Sequence, residues 1–178
     1  MLTPETILKS TFGYDTFKPL QREIINNVMA RRDTLVIMPT GGGKSLTYQV
    51  PALMLDGLTV VVSPLIALMK DQVDALLANG IPAAFINSSL SNAEIEEIKD
   101  ELTRGEIKLL YIAPERLALL DFKLFLKELP IALIAIDEAH CISEWGHEFR
   151  PDYRNLQHCK QILFPDVPII ALTATATP

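Results

Sequence analysis

The sequence has few cysteines, no excess of positive charge and no long apolar run. Its two cysteines, Cys141 and Cys159, form no C-x-x-C pair, and so few cysteines indicate a reducing compartment. Their spacing also matches no common zinc motif. No apolar run approaches the about 20 residues of a membrane-spanning helix, and the first residues lack the basic segment and apolar core of a signal peptide. We therefore expect a cytosolic protein that does not insert into a membrane.

Acidic residues outnumber basic ones, since 22 aspartates and glutamates stand against 16 lysines and arginines, giving a formal net charge of −6. This charge argues against a generally basic coat, so any contact with DNA or RNA has to be local. Hydrophobic residues make up 49% and charged residues 21% of the chain, which is typical of a soluble globular protein. The 178 residues suit one domain that buries about 70% of its unfolded surface.

Apolar runs typical of strands alternate with patterns typical of helices. The predicted strands are Thr34–Met38, Leu58–Ser63, Ala83–Ile86, Lys108–Ala113, Ala132–Asp137 and Ile169–Thr173. The predicted helices are Pro4–Thr11, Pro19–Arg31, Lys44–Leu55, Leu65–Asn79, Ala93–Thr103, Glu115–Leu120 and Asp152–Leu163. The alternation predicts an α/β domain with a mostly parallel sheet and helices on both faces. Residues 1–33 hold the two leading helices, and residues 34–178 form the body of the domain.

A glycine-rich stretch stands between the first predicted strand and the helix that follows it. Its candidate phosphate-binding residues are consecutive: Thr40, Gly41, Gly42, Gly43, Lys44 and Ser45. Glycines let backbone amides wrap a phosphate chain, and the helix N-terminus adds positive potential. Lys44 would reach the β- and γ-phosphates, and the Ser45 hydroxyl would ligate Mg²⁺. The strict P-loop pattern has glycine where Met38 stands, and a chance glycine-rich turn is the alternative.

Two carboxylates, Asp137 and Glu138, follow the apolar run Leu133–Ile136. Such a run is typical of a strand buried on both faces, and open α/β sheets bind ligands at the carboxyl ends of their strands. Asp137 is suited to hold Mg²⁺ through its water shell, and Glu138 to orient and deprotonate an attacking water. An acidic helix N-cap is the alternative. Together with the glycine-rich stretch, the pair predicts an ATP-binding chain.

In this order, the motifs resemble the first lobe of a superfamily-two helicase, a RecA-like P-loop NTPase domain, and specifically the RecQ family of DNA helicases. The segment Phe12–Gln21 is similar to the family's adenine-recognition motif. The resemblance implies that Gln21 pairs with the adenine edge and that Tyr14 stacks on the base. Lys18 stands where the family usually has arginine, so it keeps the charge but loses planar stacking. For Phe17 we expect core packing.

Segments at later strand ends resemble the family's nucleic-acid track. By this resemblance, the Ser63 hydroxyl contacts a phosphate of the DNA strand. Thr173 and Thr175 fall in a segment similar to the motif that couples the nucleotide site to strand movement. Serine and threonine at strand ends are also ordinary turn or strand residues, which is the alternative for all three.

The segment Cys141–Tyr153 follows the acidic pair and separates RecQ helicases from their relatives. It holds the only tryptophan of the chain. The resemblance implies that Trp145 and Phe149 stack on DNA bases and signal strand binding to the catalytic carboxylate. Arg150 can add a phosphate or cation–π contact, and the resemblance implies that His147 joins this network. The alternative is that the aromatic residues form one apolar helical stripe in the core.

The resemblance implies an ATP- and Mg²⁺-dependent DNA helicase with 3′-to-5′ polarity that acts in DNA repair and recombination. We expect a monomer, in a bacterial cytosol and nucleoid or in a eukaryotic nucleus, that binds single-stranded or partly duplex DNA. This chain would be the first motor lobe, and a second RecA-like lobe would supply an arginine for hydrolysis. The alternatives are the lobe of an RNA helicase or RNA remodeller, a nucleotide-gated interaction module without catalysis, and a small-molecule P-loop kinase.

Overall fold

A parallel β-sheet is the centre of the structure, a computed structural model that describes residues 2–39, 43–138 and 164–174. The strands are β1 (Thr34–Met38), β2 (Leu58–Val62), β3 (Ala83–Ile86), β4 (Leu109–Ile112), β5 (Ile131–Ile136) and β6 (Ile169–Ala174). The helices are α1 (Pro4–Phe12), α2 (Gln21–Met29), α3 (Leu46–Met54), α4 (Ile66–Ala78), α5 (Asn92–Thr103) and α6 (Leu120–Lys127), with a 3₁₀ helix at Pro114–Ala118. Over these residues the strand order is β1-β6-β5-β2-β4-β3, and every pairing is parallel.

Both faces of the sheet are covered, as the continuous apolar strands require. Val61, Tyr111 and Ala135 lie in the cluster that α2, α3 and α4 cover on one face. Their neighbours along the strands, such as Val60 and Leu110, lie in the cluster that α5 and α6 cover on the other face. Alternate residues of a strand point to opposite faces, so two buried faces need apolar residues at every position. Each fully buried aliphatic side chain contributes about 2 kcal/mol.

The two leading helices attach to the rest of the domain through α3. Ile7 of α1, Ile25 of α2 and Val50 of α3 form a separate buried cluster, and Phe17 packs against it partly buried, which confirms its predicted core role. The start of α1 is fixed by a capping box between Thr3 and a residue one turn later. This packing fixes the segment between the two helices beside the start of α3. The division of the chain at residue 33 stays a prediction.

The predicted α/β class and all six predicted strands are confirmed, with strand ends that differ by at most one residue. One helix prediction is wrong: Glu115–Leu120 was expected to be an α-helix. Pro114–Ala118 forms a short 3₁₀ helix instead, and α6 begins at Leu120. The missed signal is the spacing of Phe122, Phe125 and Leu126, which buries one side of α6.

Other boundaries shift less. Helix α3 begins at Leu46 rather than Lys44, and α2 begins at Gln21 rather than Pro19. The predicted helix Asp152–Leu163 lies outside the described residues. Within the described ranges, no helix has the length and apolar character that crossing a membrane requires.

Candidate nucleotide-binding site

Lys44 and Glu138 meet at the carboxyl edge of the sheet. The Nζ of Lys44 lies 3.8 Å from Oε1 of Glu138, and both side chains are largely shielded from solvent. Lys44 follows β1 and Glu138 follows β5, and only β6 separates these strands in the sheet. Parallel strands bring their carboxyl ends to the same edge, which is why positions distant in sequence converge. The structure thus places Lys44 beside the acidic pair, as the sequence predicts.

The acidic pair is held by the backbone of β5 and its neighbour. The amide of Asp137 donates to the carbonyl of Val62 over 2.8 Å, which continues the pairing of β5 with β2 by one residue. The Oδ1 of Asp137 accepts a hydrogen bond from the amide of Glu138 over 2.9 Å, and Asp137 is buried. Glu138 has φ 53°, in the left-handed region, which costs a non-glycine residue about 1 kcal/mol. This conformation ends the strand where Glu138 faces Lys44.

The segment before β1 contacts the glycine-rich stretch directly. The Nε2 of Gln21 donates to the carbonyl of Gly43 over 2.9 Å, and its Oε1 accepts from the amide of Lys18 over 2.8 Å. Gln21 is buried. Glycine is required at position 43 for two reasons: its φ is 77°, and a Cβ built there would overlap Nε2 of Gln21. Two of the three predicted adenine-binding residues therefore lie beside the predicted phosphate loop, whereas Tyr14 is exposed.

Ser45 stands directly before α3, and its hydroxyl does not cap the helix. The backbone carbonyl of Ser45 accepts from the amides of Tyr48 and Gln49, so the first turn is closed by backbone bonds. The site therefore has two oxygen ligands for a metal ion, from Ser45 and Asp137. It also has two positive groups, the ammonium of Lys44 and the N-terminus of a nine-residue helix. Hydroxyl and carboxylate oxygens with retained waters suit Mg²⁺, and the positive groups suit phosphates. The residues present thus fit a magnesium nucleotide.

A buried polar cluster behind this site was not predicted from the sequence. The hydroxyls of Tyr48 and Tyr111 lie 2.9 Å apart, and Nε2 of Gln49 donates to the Tyr111 hydroxyl over 3.1 Å. Burial raises the pKa of Tyr48 well above its usual value, and Tyr111 and the charge of Asp137 act in the same direction. Burial also raises the pKa of Tyr111, although its hydrogen bonds oppose this. The only sequence signal is that two positions in apolar patterns hold tyrosine, which carries a hydroxyl, rather than phenylalanine.

The predicted DNA-contacting residues are only partly within the described structure. Ser63 follows β2, next to β5, and its buried hydroxyl accepts from the amide of Leu65 over 3.2 Å. Thr173 lies at the end of β6 opposite Ile37 of β1, and its hydroxyl donates to the carbonyl of Ala174 over 3.3 Å. Both therefore lie at the edge that carries the acidic pair. The predicted site residues outside the described ranges are Thr40, Gly41, Gly42, Trp145, His147, Phe149, Arg150 and Thr175.

The chain matches a known protein family and is similar to named relatives. The DEAD/DEAH box helicase family matches residues 18–178. A Bacillus subtilis protein named ATP-dependent DNA helicase RecQ is 55% identical over 175 residues, which are 98% of this chain and 30% of that protein. The protein of that name from Haemophilus influenzae is 53% identical over 98% of this chain and 28% of its own length. The chain thus spans less than a third of these relatives, and the resemblance to RecQ helicases is confirmed.

A solved structure has the same fold at low sequence identity. The DUF1998 helicase MrfA, crystallised bound to DNA and AMPPNP, superposes with a TM-score of 0.77 at 19% identity, over 99% of this chain and 26% of MrfA. This likeness supports the RecA-like α/β fold.

Proposed function

Because the chain belongs to the DEAD/DEAH box helicase family, we propose that it is the first motor lobe of a RecQ-like, ATP-dependent DNA helicase. The observation that carries this proposal is the meeting of Lys44 and Glu138 beside Asp137, with a Nζ–Oε1 distance of 3.8 Å. An ATP-hydrolysing site has two halves. One is a lysine after a glycine-rich turn, here after β1, and the other is a carboxylate pair, here at the end of β5, two strands away in the sheet. The similarity to named RecQ helicases supports DNA as the polymer.

Lys44 and Glu138 neutralise each other before nucleotide arrives. When ATP binds, Lys44 exchanges the carboxylate of Glu138 for the β- and γ-phosphates. Glu138 then orients the attacking water and accepts its proton. Ser45 and Asp137 would hold Mg²⁺, which would supply positive charge against the phosphate oxygens. The exchange of partners makes Glu138 available only when the phosphates are in place.

Gln21, Tyr14 and Lys18 form the adenine end of the site. Gln21 pairs with the adenine edge through its carboxamide, and Tyr14 offers an exposed ring for stacking. The hydrogen bond from Gln21 to Gly43 supports this role because it fixes the carboxamide next to the phosphate loop. Lys18 contributes charge.

DNA contacts the same edge of the sheet. Ser63 holds a strand phosphate, Thr173 and Thr175 couple strand movement to the nucleotide site, and Trp145 and Phe149 stack on bases. Arg150 and His147 complete this contact. The polarity is 3′ to 5′, as in the family that the chain resembles. A second RecA-like lobe supplies the arginine worth about 10³–10⁵ in rate, so this chain alone binds ATP but hydrolyses it slowly.

The test is ATP hydrolysis by the full-length protein that contains this chain, with single-stranded DNA and RNA of the same sequence as cofactors. DNA should stimulate hydrolysis strongly and RNA weakly. Stimulation by RNA alone would point to an RNA helicase, and no hydrolysis would point to a non-catalytic nucleotide-gated module. Glu138→Gln should abolish hydrolysis and retain bound ATP, whereas Glu97→Gln, on the exposed side of α5, should behave as wild type.

A further inference from the structure

Two fully buried tyrosines form a hydrogen-bonded pair underneath the nucleotide site. The hydroxyl oxygens of Tyr48 and Tyr111 are 2.9 Å apart, and the rings meet edge to face at a centroid distance of 6.4 Å. Gln49, which is also buried, donates to the Tyr111 hydroxyl over 3.1 Å. Buried hydroxyls need partners, and phenylalanine would fill the same volume without this requirement. Packing alone therefore does not explain why both residues are tyrosines.

The position of the pair connects the two sides of the nucleotide site. Tyr48 lies one turn after Ser45 on α3, and its amide donates to the Ser45 carbonyl over 3.2 Å. Tyr111 lies on β4 opposite Val61 of β2, and Val61 lies opposite Ala135 of β5. Asp137 is two residues beyond Ala135, so it faces the side of the sheet that Tyr111 and α3 share.

We propose that the Tyr48–Tyr111 hydrogen bond fixes α3 on the sheet so that Ser45 and Asp137 keep the separation that one magnesium ion requires. Both tyrosines are proposed as positioning residues, because they act on Ser45 and Asp137 through α3 and the sheet. The inference rests on the proposed function of Ser45 and Asp137. Residues that orient metal ligands from behind commonly change metal affinity by about tenfold or more when they are altered. Gln49 supports the pair from the same helix.

Thr59 offers a matched control in the same sheet. Its hydroxyl is fully buried on β2, on the face that α3 covers, and it is without a hydrogen-bond partner among the described residues. Thr59→Val therefore removes a buried hydroxyl from the same face without breaking a bond. Tyr48→Phe and Tyr111→Phe remove a hydroxyl and break the bond while the rings remain.

The experiment measures binding of a fluorescent ATP analogue to the full-length protein, as a function of Mg²⁺ concentration and also in excess EDTA. In Tyr48→Phe and in Tyr111→Phe, the Mg²⁺ concentration for half-maximal binding should rise about tenfold. Binding in EDTA should stay unchanged, and the double variant should lose less than the sum of the two single losses, because each single variant already breaks the Tyr48–Tyr111 bond. Gln49→Met, which leaves both rings in place, should shift the Mg²⁺ midpoint in the same direction. Thr59→Val should keep the wild-type midpoint.

Three outcomes would overturn the inference. One is a Mg²⁺ midpoint that moves no further in the tyrosine variants than in Thr59→Val. A second is an equal loss of binding with and without Mg²⁺, which would indicate a purely structural role. The third is additive losses in the double variant, which would mean that the hydroxyls act separately. A wild-type protein that binds no nucleotide would contradict the proposed function itself and is therefore distinguishable from these.

Discussion

Gln21 is hydrogen-bonded to Gly43, with 2.9 Å between its Nε2 and the glycine carbonyl oxygen. The bond joins the first residue of α2 to the loop that precedes α3. Both ends are constrained, since Gln21 is buried and Gly43 has φ 77°. A change at either residue should therefore be felt at the phosphate loop and the adenine end together.

Gly43→Ala should weaken ATP binding by at least about tenfold, because the new Cβ would displace the carboxamide of Gln21 and strain the loop. Gly80→Ala is the matched control: Gly80 also has positive φ, at 80°, but a Cβ there would contact nothing within 4 Å. That variant should lose about 1 kcal/mol of stability and keep wild-type ATP affinity. Titration calorimetry and thermal unfolding measure the two quantities. Equal ATP affinity in both variants would mean that the Gln21–Gly43 contact is unimportant.

Glu138→Gly should be more stable than Glu138→Ala by about 1 kcal/mol, because glycine adopts the observed φ of 53° without strain. Both variants should lose ATP hydrolysis, since neither has a carboxylate to accept the proton from water. Thermal unfolding of the two variants, followed by circular dichroism, checks this. If Glu138→Ala were the more stable variant, the left-handed conformation of Glu138 would not hold in solution.

The start of α5 should respond to acid. The carboxylate of Glu94 accepts from the amide of Ser91 over 3.0 Å, and this backbone hydrogen bond, followed by that with the Ser91 side chain, lowers the pKa of Glu94 below 4.5. A lowered folded-state pKa adds stability that is present above the unfolded value and is lost as pH falls through the folded value. The stability advantage of wild type over Glu94→Gln should therefore exist at neutral pH and vanish in acid. Denaturant unfolding of wild type and Glu94→Gln over a series of pH values measures this difference, and an advantage that persists unchanged in acid would contradict the role of the cap.

The sequence predicted the site better than it predicted the packing around it. Lys44 and Glu138 could be placed together because each follows an apolar strand, and parallel strands present their carboxyl ends on one edge. The order of the strands was not needed for that step. The roles assigned to both residues stay predictions that the experiments above address.

The Tyr48–Tyr111 pair could not be predicted, because it depends on which strand lies under α3. Sequence gives the face on which Tyr111 lies relative to its strand neighbours, but not that β4 pairs with β2. Helix α6 was missed for a different reason. The predicted helix, Glu115–Leu120, ends where α6 begins, and the spacing of Phe122 and Leu126 carries the helix signal of α6.

The most direct test of the central claim is the affinity of Mg²⁺–ATP for the full-length protein and for its Lys44→Ala variant, measured by titration calorimetry. Lys99→Ala is the control. Lys99 also pairs with a glutamate, Glu96, at 3.6 Å, but it lies on α5, which covers the opposite face of the sheet from α3. We predict that Lys44→Ala weakens ATP binding by at least about tenfold, whereas Lys99→Ala binds as wild type does. Equal ATP affinity in all three proteins would contradict the account, because the site at Lys44, Asp137 and Glu138 would then not be where ATP binds.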